Sequence, residues 1–258
     1  MTSPNPPSNK KNRDGMVIVG SVVFVTIFWY LIVAVGDFPE FILPSPTTVI
    51  LRFFQAVQGG QLYRHILTTV LEVLLGLSAG TFAAIFFGFL LSRNPVIDQL
   101  LSPVLVASQA VPVVAIAPLL VIWFGNGMVS KVLVCALIIF FPVLVNILLG
   151  LKSIPVELRD LMITFRANRW QIFRHLEVPA ILPFFLGGMR VGATLSVTGA
   201  VVGEFLGAES GLGFMINVAR GQYDTALVFV VIIILIALAL LLYNLILLLE
   251  KLLLRWKA

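Results

Sequence analysis

Apolar residues in this chain come in long runs. Six of them, at residues 16–35, 66–91, 100–124, 129–151, 180–208 and 226–249, are each long enough to cross a hydrocarbon core of roughly 30 Å as a helix of about 20 residues. The third carries Pro103, Pro112 and Pro118, and each proline removes a backbone donor and disfavours the turn before it. That pattern predicts a kinked helix inside the bundle, where neighbouring helices satisfy the freed carbonyls. Of the polar stretches between the runs, three exceed a tight turn: 36–65, 152–178 and 209–225. In the first, Pro44-Ser45-Pro46-Thr47-Thr48 gives a helix start, and Val49, Ile50, Phe53, Phe54 and Val57 give it an apolar face, which predicts a short amphipathic helix on the membrane surface.

Composition agrees with membrane residence. Of 258 residues, 60% are hydrophobic and 11% charged, against about 25% charged in an average soluble domain. The chain is therefore predicted to be an all-α integral membrane protein. A single cysteine, Cys135, excludes an internal disulfide framework, and His65 and His175 alone offer no metal-ligand spacing. The net charge of +5 falls outside the apolar runs and so bears on topology before it bears on nucleic acid, for which no site is expected. Lys10, Lys11 and Arg13 precede a first run with no small-residue cleavage site after it, which predicts a retained anchor. With the amino terminus in the cytoplasm, twelve Lys/Arg lie inside and four, Arg52, Arg64, Lys131 and Arg220, outside. Both termini are then cytoplasmic in a multi-pass protein of the plasma (inner) membrane. The expected segments are a tail at 1–15, the first span with an outer amphipathic segment at 16–65, a core at 66–251 and a tail at 252–258.

Five of the 17 basic residues lie in the inner loop 152–178. There Pro155 opens a predicted helix over 156–165 with Leu158, Leu161, Met162 and Phe165 on one face; Asn168 offers a break, and 170–176 resumes before Pro179 opens the next span. A basic hairpin that merely meets anionic headgroups has the same composition. The stretch resembles the EAA loop of binding-protein-dependent ABC importer permeases: Glu-Ala-Ala, three residues, Gly, nine residues, then Ile-x-Leu-Pro. That spacing falls on Asp160-Leu161-Met162, Arg166, Leu176, Val178 and Pro179. Arg166 stands where the family has glycine, so the left-handed turn is expected to move to Asn168. Leu43-Pro44-Ser45-Pro46, Gln109-Ala110-Val111-Pro112, and Gly203-Glu204 with Gly211-Leu212-Gly213 resemble the sulfonate, taurine and nitrate branch. The segment from Gly199 to Phe214, with Phe165-Arg166-Ala167, is more similar to permeases for riboflavin and thiamine precursors.

The resemblance implies a type I ABC importer permease (MetI-like) fold of about six spans. It implies a homodimer working with two ATPase subunits and a solute-binding protein, in contact with membrane lipid. Asp160, Leu161, Met162, Thr164, Phe165, Arg166, Ala167 and Asn168 would then couple to the ATPase. The chain has no Gly-x-x-x-x-Gly-Lys-Ser/Thr loop, so ATP and magnesium are expected on the partner, with no cofactor and no catalysis here. The solute is expected to be a small aromatic heterocycle such as riboflavin or a pyrimidine vitamin precursor, the alternative being a sulfonate, taurine or nitrate-type anion. Arg190 and Glu204, with the neutral Gln109 and Thr194, are candidate pathway residues. Arg190 reaching inner headgroups, or Glu72 and Glu204 holding structural partners, fits the same positions. Gly76/Gly80, Gly188/Gly192 and Gly199/Gly203/Gly207 form small-residue faces for helix packing, within one subunit or between two. An ion-coupled secondary transporter using Glu72, Arg190 and Glu204 is the competing class.

Overall fold

The structure, a computed structural model, describes residues 9–92 and 112–254. Gln109, Pro103 and the first part of the third predicted span lie outside the described residues, as do Arg255 and Lys257. The helices are α1 (Asn9–Gly36), α2 (Pro46–Gln58), α3 (Gln61–Ser92), α4 (Val113–Phe124), α5 (Met128–Lys152), α6 (Val156–Thr164), α7 (Arg169–Ile172), α8 (Val178–Phe205), α9 (Leu212–Gly221) and α10 (Thr225–Leu253). A π turn, Phe173–Glu177, joins α7 to α8. Among the described residues there is no strand. The helices α3, α5, α10 and the continuous Arg169–Phe205 stretch are long and apolar enough to cross a membrane, with shorter apolar pieces at Gly20–Gly36 and Val113–Phe124.

The chain divides into two compact units. One comprises residues 1–60 and 218–230, the other 61–217 and 231–258. In the larger unit α5 lies between α3 and α8, and glycines explain how closely. A Cβ on Gly80 would sit 2.6 Å from the Ala136 carbonyl oxygen, and one on Gly199 would sit 3.0 Å from the Cys135 Cα. The small-residue faces of α3 and α8 therefore grip α5 within one chain. Ile139, Val143, Leu144 and Ile147 of α5, all 0–1% exposed, fill the space with Leu77 and Ala84 of α3 and Ile181 of α8. A second cluster joins Val73, Cys135, Ala193 and Val197 to Leu242 and Ile246 of α10.

In the smaller unit Ser45 caps α2: its Oγ accepts from the Thr48 amide at 3.1 Å, with Pro46 at the first helical turn. The predicted amphipathic helix is present, but its buried face is Pro46, Val49 and Ala56, while Ile50, Phe53, Phe54 and Val57 are exposed. Helix α2 packs on α1, and Trp29 of α1 stacks on Phe229 at 5.1 Å.

Two expectations about the inner loop are corrected. The 170–176 helix is not separate from the next span: the Val178 amide donates to the Phe173 carbonyl, five residues back, and the helix runs on. Pro179, which has no N–H to give, falls in the first turn of α8 after the π register, where a missing donor is tolerated. The left-handed turn residue is Arg166, with φ 54°, not Asn168, which has φ −76°.

Candidate functional site

Three side-chain arrangements carry the chemistry of the larger unit, and the first is the segment 156–177. Helix α6 starts after Pro155 with Glu157 in its first turn, where a carboxylate meets the positive end of the helix. It ends in a double bond: the Arg166 amide donates to the Ile163 carbonyl at 2.8 Å and the Ala167 amide to the Met162 carbonyl at 3.0 Å. This is a Schellman cap, whose left-handed residue is ordinarily glycine. Asn168 serves the next helix. Its Oδ1 accepts from the Gln171 amide at 2.8 Å while Gln171 Oε1 accepts from the Asn168 amide at 2.8 Å, a reciprocal capping box.

This segment is firmly closed on its own backbone yet leaves its apolar side chains in the open. No α6 residue is buried, and Phe165 is 74%, Leu161 50% and Val156 69% exposed. Asp160, Thr164 and Asn168 are exposed as well, and Met162 and Ala167 are half-buried. An ion pair from Arg159 to Glu177 (2.9 Å) ties α6 to the π turn. Trp170 stacks on Phe173 at 5.4 Å, and Phe173 meets Phe89 of α3 edge-on at 5.1 Å. The aromatic chain thus leads from the exposed segment into the bundle. Beside it a cleft of about 230 Å³ is lined by Ser92, Leu148, Lys152, Pro155, Val156 and Arg159.

The second arrangement lies inside the bundle. Glu204 of α8 is 1% exposed; its Oε1 accepts from the Thr69 hydroxyl at 2.6 Å and its Oε2 from the Gly213 amide. Thr69 Oγ1 in turn accepts from the Leu212 amide at 2.8 Å, and His65 Nδ1 from the Gly211 amide at 3.0 Å. Three consecutive backbone N–H groups at the start of α9 are therefore satisfied by side chains of α3 and α8, as a helix end inside a protein requires. Gly211 has φ 117°, and a Cβ there would collide with the Glu204 carboxyl. Next to Glu204 stands Glu72, fully buried and paired with Lys131 Nζ at 3.3 Å. Lys131 supplies the counter-charge of Glu72, and the Glu204 carboxyl lies against it.

The third arrangement is an ion pair from Arg190 Nε to Glu250 Oε2 at 3.1 Å, joining α8 to α10. Arg190, Thr194 and Glu204 are not brought together. Arg190 is held by Glu250, the Thr194 hydroxyl donates to the Val191 carbonyl at 2.9 Å, and Glu204 is sealed in its cluster. Lys131, counted above among outer loop charges, is instead buried at 6% exposure. The signal was available, since Ser130-Lys131 open α5 opposite the end of α3 that carries Glu72. Helix α9 was also missed, because Gly211, Gly213 and Gly221 suggest a loop to any propensity scale.

Membrane-length helices thus pack on glycine faces, with one exposed and capped helical segment between two of them. Residues 76–255 match the family described as binding-protein-dependent transport system inner membrane component, and the chain belongs to that family. It is 47% identical over 238 residues to the riboflavin transport system permease protein RibX of Chloroflexus aurantiacus, covering 92% of this chain and 89% of that one. It is 36% identical to the formylaminopyrimidine transport permease protein ThiX of Halalkalibacterium halodurans (90% and 95% covered). To a putative aliphatic sulfonates transport permease protein SsuC of Bacillus subtilis it is 32% identical (90% and 84% covered). A crystal structure of an amino acid ABC transporter with histidines superposes with a TM-score of 0.62 over 77% of this chain and 97% of that one, at 14% identity. The fold is that of the type I ABC importer permeases.

Proposed function

We propose that this chain is the pathway-forming subunit of an ATP-driven importer for a small aromatic heterocycle of the riboflavin or pyrimidine-precursor kind. It works as a homodimer with two ATPase subunits and a solute-binding protein, and both termini and the 152–178 segment face the cytoplasm. The observation that carries the coupling role is the pairing of rigid caps with exposed apolar side chains on α6. Among the described residues nothing covers Leu161 and Phe165, and a helix that keeps its shape while exposing such residues suits a groove on a partner. Arg159, Arg166 and Arg169 lie in the same exposed segment and would supply a polar rim. Closure of the ATPase pair would move this segment as a lever, and the Trp170–Phe173–Phe89 chain is the route into the spans.

The heterocycle class rests on the identities of 47% and 36% to permeases named for riboflavin and formylaminopyrimidine transport. The sulfonate alternative has support from the relative at 32%. Uptake of labelled riboflavin, formylaminopyrimidine and an alkanesulfonate by cells expressing the whole transporter separates these. Transport of the sulfonate alone would overturn the heterocycle assignment. Retention of the ATPase through purification by a Phe165→Asp variant, with uptake unchanged, would overturn the coupling role.

A further inference from the structure

Both histidines of the chain make a bond through Nδ1, and the two bonds run in opposite directions. His175 Nδ1 lies 3.1 Å from the Gln171 carbonyl oxygen. A carbonyl only accepts, so this nitrogen carries a proton, and the bond survives whether the ring is neutral or charged. His65 Nδ1 instead accepts from the Gly211 amide at 3.0 Å. An N–H only donates, so this nitrogen keeps its lone pair, the ring is neutral and its proton sits on Nε2. Charging the His65 ring would set N–H against N–H and leave the Gly211 amide without its acceptor.

The place of this bond in the fold gives it consequence. It is the first of the three side-chain bonds that close the start of α9, ahead of Leu212 to Thr69 and Gly213 to Glu204. His65 also stacks on Phe214 of α9, with ring centroids 5.8 Å apart, so one side chain holds α9 to α3 at two points. The ring is half-buried and lies one residue before the apolar run 66–91, at the end of α3 that the run leaves out. The charged groups around it are Arg64 on its own helix and, beyond Thr69, Glu204 of α8 with the Glu72–Lys131 pair next to it. Glu209, in the turn before Gly211, is exposed, and α9 brings no charge over 212–219.

We infer that His65 is a proton-operated latch on the start of α9: neutral, it holds Gly211 against α3, and protonated, it lets Gly211 go. Histidine is the side chain whose ordinary pKa, about 6.5, brings such a change within reach of mild acid. The direction follows from the bond. Only the neutral ring makes it, so the latch is closed at and above neutrality and weakens as pH falls through the free ring's value, by up to about tenfold per pH unit for one proton. The compartment that is sensed rests on the proposed importer orientation, in which α3 begins at the outer face. Uptake is then set to weaken as the outer medium turns acid.

The test uses the full chain in lipid nanodiscs with isotope-labelled histidine, where His175→Gln assigns the two rings by nitrogen magnetic resonance. At about pH 7.5 the His65 ring is expected to be neutral with its proton on Nε2. Between there and about pH 5.5 its signals should move to those of the charged ring, while protection of the Gly211 amide against hydrogen exchange, corrected for the intrinsic rate, falls roughly tenfold. In His65→Gln no ring titrates, so Gly211 protection should stay constant over that range. A neutral His65 with its proton on Nδ1, or a titrating His65 with constant Gly211 protection, would overturn the latch. In vesicles holding the whole transporter, lowering only the outer pH should cut uptake more steeply in the unmodified protein than in His65→Gln, by up to about tenfold per pH unit. Matching pH profiles would also overturn it. Absence of uptake by the unmodified transporter at every pH would overturn the importer reading instead, and the ring spectra and Gly211 exchange would still decide the latch.

Discussion

The segment 156–177 and the cluster around Glu204 invert the ordinary rule of burial in opposite senses. The first leaves Val156, Leu161 and Phe165 exposed, while the second hides Glu72, Lys131 and Glu204. The cluster finds its partners inside the chain: Glu204 accepts from Thr69 and Gly213, and Glu72 faces Lys131. The segment makes the Arg159–Glu177 ion pair and the Trp170–Phe173–Phe89 stack but, among the described residues, leaves Val156, Leu161 and Phe165 uncovered. Buried charge with internal partners fixes architecture, whereas apolar surface exposed on a capped helix outside the membrane-length spans suits the proposed partner. Substitutions in the cluster should therefore lower stability, and substitutions in the segment should lower association at constant stability.

The largest effect is expected at Lys131. Replacing it by methionine leaves the fully buried Glu72 without a counter-charge, and breaking a buried pair costs about 3–5 kcal/mol. The melting temperature of the purified protein in detergent should fall by roughly 10 °C, and Glu72→Gln in the same chain should restore most of the loss. An unchanged melting temperature in Lys131→Met would remove the distinction between the two regions. Next comes Glu204→Ala, which leaves the Gly213 amide without its acceptor and the Thr69 hydroxyl with only the His65 carbonyl at 3.2 Å, at a cost of about 1–3 kcal/mol. Faster hydrogen exchange at the Leu212 and Gly213 amides would locate that damage at the start of α9, and unaltered exchange there would contradict the cap.

Phe165→Asp sharpens the contrast from the other side. Its ring is 74% exposed, so the melting temperature should stay within about 1 °C. Affinity for the ATPase subunit, measured by titration in detergent, should drop roughly 30-fold, equivalent to the ~2 kcal/mol of an interface hot spot. Equal losses of stability and affinity would mean that Phe165 supports the fold and not a partner.

How much of this was legible in the sequence differs between the two regions for a physical reason. The spans are encoded by run length alone, and α3, α5, α8 and α10 each fall within a few residues of their predicted bounds. The segment 156–177 was legible in part, because Pro155 and Asn168 are local signals that act within a few residues. The cluster was not, because apart from Glu204 and Gly213 its partners lie 59 to 146 positions apart, as between Glu72 and Lys131 or His65 and Gly211, and no periodicity links them. The Arg190–Glu250 ion pair was not legible either, because its partners lie 60 residues apart, across a chain reversal that run length cannot register. Arg166 was misread for the converse reason. A side-chain preference for glycine was weighed there, while the two backbone bonds that force the turn at that residue depend on where α6 ends.

That misreading gives the smallest expected effect and the finest test of the comparison. In Arg166→Gly the left-handed strain of about 1–2 kcal/mol is relieved, and the greater backbone freedom of glycine in the unfolded chain offsets part of it, about 0.5–1 kcal/mol. A net gain of about 1 kcal/mol or less should appear locally, as slower exchange of the Arg166-position and Ala167 amides that donate to Ile163 and Met162. Loss of the guanidinium from the rim of the segment should weaken ATPase binding by no more than about fivefold, because exposed ion pairs contribute roughly 0–1 kcal/mol. Asn168→Gly is the control: its φ is already ordinary at −76°, so glycine there relieves nothing and removes the capping oxygen of α7. If Arg166→Gly speeds exchange and Asn168→Gly slows it, the turn in solution sits at Asn168 and the cap of α6 is not the element that holds Phe165 in place.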